Sequence, residues 1–259
     1  MKYLSWNETI ISDFSEKNIG EMYEKGYVFT RISRGTMQQT RSVRIDLSLN
    51  ELSSENRRIL KKTEEIIISE QKLPLNSNEY DFSIGKMAKD FYDTKFGQCI
   101  MSAQKVKEML TDPTKSNFTS LLVYDAVKSS NSSVNSINHE ANSTDSTNSV
   151  EITNTDDAKI NPSLGFTICY KDSSIIHYSY PFYDLTKSPK DMGLGMMTKA
   201  IEYAKEQGLK YVYLGSLQRP TDTYKLQFEG LEWFDGKNWQ KDIGEVKEVL
   251  KSKNEMIKD

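Results

Sequence analysis

At 259 residues the chain is long enough to bury a substantial core, as one domain or two. Its 34 basic and 37 acidic residues leave a net charge of -3, which excludes a generally basic nucleic-acid coat but not a local basic patch. Two cysteines and two histidines, none at metal-ligand spacing, exclude a four-ligand zinc site and a disulfide framework, so no metal is expected.

Asp13-Phe14-Ser15-Glu16 resembles a capping box, with Ile19, Met22 and Tyr23 at helical spacing and Gly26 as the helix stop. The run GYVFTRIS reads as a strand, and SVRIDLSL alternates Val43, Ile45 and Leu47 against Arg44 and Asp46, as a half-buried strand does. SSENRRILKKTEEIII reads as one helix after serine caps, and YDFSIGKMAKDFYDTKFG and SAQKVKEML as two more. Strand-like runs at 118–127 and 163–172 flank a tract at 129–156 in which 18 of 28 residues are Ser, Thr or Asn. Such a tract buries too little apolar surface to offset its ordering entropy, so a disordered insertion between two strands is expected. Beyond it the order is a strand at 174–183, a loop, a helix over about 193–207, a strand at 210–215, a short helix near 222–228 and a hairpin through Asp235-Gly236. The tail from Glu245 reads as an exposed charged helix. Hairpins with one strand–helix–strand crossover predict an α/β class with a mixed sheet. No apolar run reaches the length of a membrane span, and MKYLSWNETIIS lacks a signal-peptide core, so a soluble, cytoplasmic protein is expected.

Four constellations bear on chemistry. Lys190-Asp191-Met192-Gly193-Leu194-Gly195 places two glycines where a helix begins. Glycine lets a ligand approach the backbone, and free N–H groups at a helix start attract an anion. The pattern resembles the pyrophosphate loop of GNAT-type acetyltransferases; two turn glycines ahead of a helix are the plain alternative. Second, six of the seven arginines fall between Arg31 and Arg58, and segment 31–62 holds eight basic residues against Asp46, Glu51 and Glu55. A guanidinium fork suits phosphate oxygens, so the cluster suggests a phosphate-contacting surface. Third, in HYSYPFYDL the residues Tyr178, Tyr180 and Phe182 are expected on one strand face and His177 and Tyr183 on the other. Fourth, Tyr224 and Lys225 sit early in the short helix, where the lysine could neutralise a phosphate or a carboxylate. Triad hydrolysis, metal catalysis and Walker-loop phosphoryl transfer find no motif.

Taken in order, these pieces resemble the arginyl-tRNA–protein transferases and the related bacterial aspartate/glutamate leucyltransferases. The first part is Gly26-Tyr27, Arg31, Val43-Arg44-Ile45, Ser53 or Ser54, and Arg57-Arg58. The second is Phe182-Tyr183-Asp184, Leu194-Gly195, Gly208-Leu209, the YVYLG run ending at Gly215, Tyr224-Lys225, Phe228 and Trp239. The likeness is collinear and covers most of the chain outside the insertion. The family has a cysteine cluster before the VRI strand; here the stretch is RGTMQQT, with Arg34, Met37 and Thr40 at cysteine positions, and no metal or redox role carries over.

The resemblance implies a GNAT-like mixed sheet with flanking helices and an N-terminal α+β region. It divides the chain into a region 1–72, a catalytic domain 73–128 and 157–241 interrupted by the insertion 129–156, and a C-terminal helix 242–259. It implies transfer of arginine or leucine from charged tRNA to an acceptor's N-terminal amine, with aminoacyl-tRNA as co-substrate, no other cofactor, and acceptors with acidic N-termini. Tyr183, Asp184 and Tyr224 would line the reactive centre. Arg31, Arg41, Arg44, Arg57 and Arg58 would contact tRNA or acceptor, Gly193 and Gly195 the terminal adenosine, and Lys225 would help hold either substrate. An acetyl-coenzyme A-dependent N-acetyltransferase and a non-catalytic tRNA- or protein-binding relative are the competing expectations.

Overall fold

The computed structural model describes residues 4–127 and 163–255, so the expected insertion at 129–156 lies outside the described residues. In chain order the first half runs β1 (Asn7–Ile10), α1 (Glu16–Glu24), β2 (Tyr27–Phe29), β3 (Thr36–Gln39), β4 (Ser42–Asp46), α2 (Ser54–Lys62), β5 (Ile66–Lys72), α3 (Phe82–Phe96) and α4 (Ala103–Thr111). The second runs β6 (Ser120–Ala126), β7 (Gly165–Lys171), β8 (Ile175–Tyr183), α5 (Met192–Glu206), β9 (Tyr211–Ser216), a 3-10 helix (Pro220–Gln227), β10 (Leu231–Phe234), β11 (Trp239–Gln240) and α6 (Ile243–Glu255).

Local chemistry sets most of these ends. Ser15 accepts from the Asn18 N–H at the start of α1, and Ser53 exchanges hydrogen bonds with Asn56 at the start of α2. One expected element is corrected. The helix from Ser53 does not continue through the isoleucines; it ends at Lys62, and Ile66–Lys72 pairs antiparallel with β6 as an edge strand. β-branched residues lose side-chain freedom in a helix and fit a pleated sheet, and a partner strand stands ready here.

An eight-stranded sheet runs β11-β10-β4-β9-β8-β7-β6-β5, and a small antiparallel sheet runs β1-β3-β2. Among the described residues β8 and β9 form the one parallel pair, joined by the α5 crossover; the other pairs are antiparallel. The expected α/β class and mixed sheet with flanking helices are therefore present. Strands β4 and β5 belong to this sheet, so residue 72 is not a boundary of it. One face buries Tyr23, Ile84, Phe91 and Val106 from α1, α3 and α4 against Ile168 and Phe182. The other buries Met196, Ala200 and Ile201 of α5 against Ile45, Ile176 and Val212.

The pattern in HYSYPFYDL is also corrected. Strand β8 pairs Tyr180 with Ile168 and Tyr178 with Cys169, which leaves Ser179 as an extra residue in a β-bulge. A bulge shifts the alternation by one. Tyr178 consequently packs with the α5 face, while Tyr180 and Phe182 pack with the α3 face.

Candidate active site

Strands β8 and β9 run side by side only from Ile175–His177 against Tyr211–Tyr213. Past that point each strand meets something that opposes a continued ladder. Beyond the bulge in β8, Pro181 has no N–H to offer. In β9, Gly215 adopts φ +74°, a backbone turn that glycine makes without strain. The strands separate, and the space between them is a cavity of about 690 Å³. Gly193, Leu194 and Met197 of α5 line it from one face of the sheet, and Phe91, Tyr92 and Phe96 of α3 from the other.

Five of the sequence-predicted site residues meet here: Arg31, Tyr183, Gly193, Tyr224 and Lys225. The Lys225 Nζ donates to the Ser216 carbonyl at 3.0 Å, beneath Gly215. Burial lowers its pKa to about 8; Asp222 pulls the value up and Arg219 pushes it down. Lys225 is therefore mostly charged at neutral pH, with a minor neutral fraction that grows as pH rises toward 8. The Tyr224 side chain is 47% exposed, but desolvation around its hydroxyl, then Asp222, raises its pKa to about 12, so it stays protonated. Tyr183 is half-buried against Phe91, with ring centroids 4.8 Å apart, and a Cβ on Gly193 would sit 3.4 Å from its ring. Arg31 donates to the Ile100 carbonyl at 2.8 Å and lies over Tyr180. His177, at the last paired position, is held neutral by burial, with a pKa of about 3, and its Nδ1 lies 3.0 Å from the Tyr23 hydroxyl.

The remaining candidates lie elsewhere. Arg44 is buried between the Tyr211 and Trp239 rings, at 4.0 and 4.1 Å. It donates to Glu24 and Glu232 at 2.8 Å and to Tyr213 at 3.2 Å. A guanidinium buried and engaged in this way is a core strut, closed off from tRNA. Arg41 is buried with one long contact, 3.4 Å to the Leu217 carbonyl. Arg57 and Arg58 are exposed on α2, where Arg57 donates to the Leu52 carbonyl and Arg58 pairs with Glu55. The Asp184 carboxylate does not line the cavity; it accepts from the Thr186 N–H and hydroxyl at 2.8 and 2.6 Å and so fixes its own turn. Gly195 likewise faces away: a Cβ there would meet Thr63 Cγ2 at 2.6 Å, so this glycine lets α5 pack on the end of α2. At the positions of the missing cysteines, Met37 is fully buried, Thr40 donates to the Leu4 carbonyl at 2.8 Å, and Arg34 donates to the Pro113 and Ser116 carbonyls.

Sequence reading missed Arg219, Asp222 and Lys95, which also line the cavity. Arg219 stood apart from the arginine cluster, and that isolation hid it. The usable signal was its place directly after the β9 strand and ahead of Tyr224-Lys225. In all, the lining carries the cations Arg31, Lys95, Lys190, Arg219 and Lys225 against two carboxylates. Both carboxylates are occupied: Asp191 pairs with Lys62 at 2.8 Å, and Asp222 accepts from the Gln218 and Arg219 N–H groups at 2.9 Å each. Among the described residues no group of His, Cys, Asp and Glu could hold a metal ion, and no helix is long and apolar enough to cross a membrane.

No family model matches the chain. A stretch of 63 residues is 40% identical to the aspartate/glutamate leucyltransferase of Dinoroseobacter shibae, covering 24% of this chain and 22% of that protein. Another of 62 residues is 36% identical to the aspartate/glutamate leucyltransferase of Stenotrophomonas maltophilia, covering 23% of this chain and 25% of that one. The match thus spans about a quarter of the length of these relatives. Among solved structures, L-PGS from Bacillus licheniformis aligns over 77% of this chain and 50% of its own, at 12% identity and a TM-score of 0.41. The C-terminal domain of a putative lysylphosphatidylglycerol synthetase from Agrobacterium fabrum aligns over 79% and 52%, at 9% identity and a TM-score of 0.41.

Proposed function

We propose that this chain is an aminoacyl-tRNA–protein transferase that moves leucine, in preference to arginine, from charged tRNA to the N-terminal amine of an acceptor protein. The observation that carries the reading is the gap between β8 and β9, lined from both faces of the sheet, with Tyr183, Tyr224 and Lys225 around it. Two substrates that must meet need such a passage. The partial likeness to two aspartate/glutamate leucyltransferases supports the same chemistry.

The reaction makes modest demands. An aminoacyl ester is already activated; the incoming amine must be neutral and placed against the carbonyl carbon. The new N–C bond forms as the C–O bond to the tRNA ribose breaks. Lys225 in its neutral form takes the proton that the amine gives up. The Tyr224 hydroxyl donates a hydrogen bond to the developing oxyanion, and the Lys225 ammonium returns the proton to the departing ribose oxygen, which leaves as a neutral hydroxyl. The Gly193 side of the cavity, at the start of α5 and beside Lys190, receives the terminal adenosine and its phosphate. Arg57 and Arg58 on α2 lie near that entrance, Arg58 being 3.9 Å from Asp191, and extend the tRNA contact. Aminoacyl-tRNA serves as the co-substrate in this reading.

The lining favours leucine over arginine. A guanidinium donor would enter a cavity whose carboxylates are both paired and whose other charges repel it. An apolar donor side chain finds Phe91, Phe96, Ile100, Met197 and Leu214. The test is a transfer assay with leucyl- and arginyl-tRNA in parallel, on peptides beginning with Asp or Glu. Leucine transfer at least about 10-fold faster than arginine transfer is expected, in line with an unpaired charge against a cationic wall. No transfer from either, or acetylation of the same peptides by acetyl-coenzyme A, would overturn the reading.

A further inference from the structure

We propose that Arg219 is the residue that selects the acceptor, by taking the side-chain carboxylate of an acidic first residue. The inference rests on the transferase reading and deepens it to one residue and one ligand group.

Position comes first. Arg219 follows β9 and lines the cavity beside Phe96, 5.0 Å from that ring, on the α3 face of the sheet. The start of α5 lines it from the opposite face. If charged tRNA enters at the helix start, the acceptor enters past Arg219.

The second observation is hydrogen-bonding capacity left unused. Arg219 Nε is buried with no acceptor, and Nη2 reaches Asp222 only at 3.4 Å. The protein therefore engages this guanidinium only weakly, and its terminal nitrogens retain donors for a ligand oxygen in the cavity. Arg41 also has a buried, unpartnered Nε, but it does not line the cavity.

Third, the guanidinium is held in place. Asp222 is buried, and its Oδ2 accepts from the Gln218 and Arg219 N–H groups at 2.9 Å each, which fixes the turn that carries Arg219. Phe96 supports the guanidinium through its ring face. A positioned guanidinium edge suits the planar carboxylate of Asp or Glu. Asp222 offsets part of the charge, which fits a carboxylate better than a phosphodiester. Lys190 and the start of α5, on the other side, are the better phosphate anchor.

The test uses peptides labelled at the C-terminus that begin with Asp, Asn, Glu or Gln, with binding followed by fluorescence anisotropy in the absence of tRNA. The wild-type protein is expected to bind the Asp peptide about 10- to 100-fold tighter than the Asn peptide, the range of a charge-assisted hydrogen bond. In Arg219→Gln that ratio falls to within about threefold, and in Arg219→Lys it is intermediate, because a lysine keeps the charge but not the fork. The ratio is internal to each variant, so a change in stability does not imitate it. A ratio near one in the wild type, or a ratio preserved in Arg219→Gln, overturns the proposal. So does a loss of tRNA affinity in Arg219→Gln with the Asp-to-Asn ratio intact, which would make Arg219 a phosphate contact. Absence of transfer from any charged tRNA, with the ratio behaving as expected, would sink the transferase reading and leave Arg219 as a reader of acidic N-termini. Leucine transfer with equal use of Asp and Asn acceptors would do the reverse.

Discussion

In the segment 31–58, Arg44 gives hydrogen bonds to Glu24, Glu232 and Tyr213 and lies between two aromatic rings. In the cavity, Arg219 has one carboxylate at 3.4 Å and an Nε without an acceptor. Segment 31–58 holds six arginines, yet of these Arg31 reaches the cavity, where Arg219 joins it, while Arg41 and Arg44 are buried away from it. Clustering in the chain measures how often a residue type occurs. Function depends on what the fold has left unpaired and where. Burial disfavours charge on Arg44, but Tyr213, Glu24 and Glu232 more than compensate and raise its pKa. Lys225, without an ion-pair partner, is instead pulled down to about 8, chiefly by burial. The partners of Arg44 hold its charge in the core, whereas Lys225 in the cavity has no carboxylate paired to its ammonium among the described residues.

The largest expected effect lies on the structural side of this comparison. Arg44→Met leaves the buried Glu232 without its closest partner and should cost about 3–5 kcal/mol in urea unfolding. The tRNA affinity of the protein that remains folded should not change. A variant of normal stability with weakened tRNA binding would dissolve the contrast.

A smaller effect separates the two glycines at the start of α5. Gly195→Ala puts a Cβ 2.6 Å from Thr63 Cγ2 and should destabilise by about 1–3 kcal/mol through overpacking, read as a lower denaturant midpoint. Gly193→Ala meets only the Tyr183 ring at 3.4 Å, so it should keep the midpoint and weaken tRNA binding instead. The opposite pattern would exchange the roles assigned to the two positions.

Where one residue decides an outcome, the sequence was readable. The serines before Glu55 mark the start of α2, Asp235-Gly236 turns the β10–β11 hairpin, and alternation identifies β4; the box expected from Asp13 is displaced, with Ser15 as the cap of α1 and Asp13 accepting from it. Where a partner decides, it was not. Ile66–Ile68 follow a helix without a break in hydrophobicity, and only pairing with β6 makes them a strand. The bulge at Ser179 depends on register with β7 and moves Tyr178 to the other face. At the site, Tyr183, Gly193, Tyr224 and Lys225 were found by motif, because short collinear patterns survive folding as neighbours. Asp184 and Gly195 belong to the same motifs but serve a turn and a helix contact, a distinction that only their surroundings carry.

The central claim is that the chemistry resides in the β8–β9 gap and that exposed arginines act in tRNA capture alone. Single-turnover leucine transfer in Lys225→Met, set beside the double variant Arg57→Ala with Arg58→Ala, tests it most directly. Lys225→Met should lose about 100-fold or more in the transfer step, the usual size of a lost proton acceptor, with tRNA affinity retained. The double variant should bind tRNA more weakly, with a shallower salt dependence, and transfer at the wild-type rate once tRNA is saturating. A normal transfer step in Lys225→Met, or a defect in the double variant that saturating tRNA does not cure, would contradict the account.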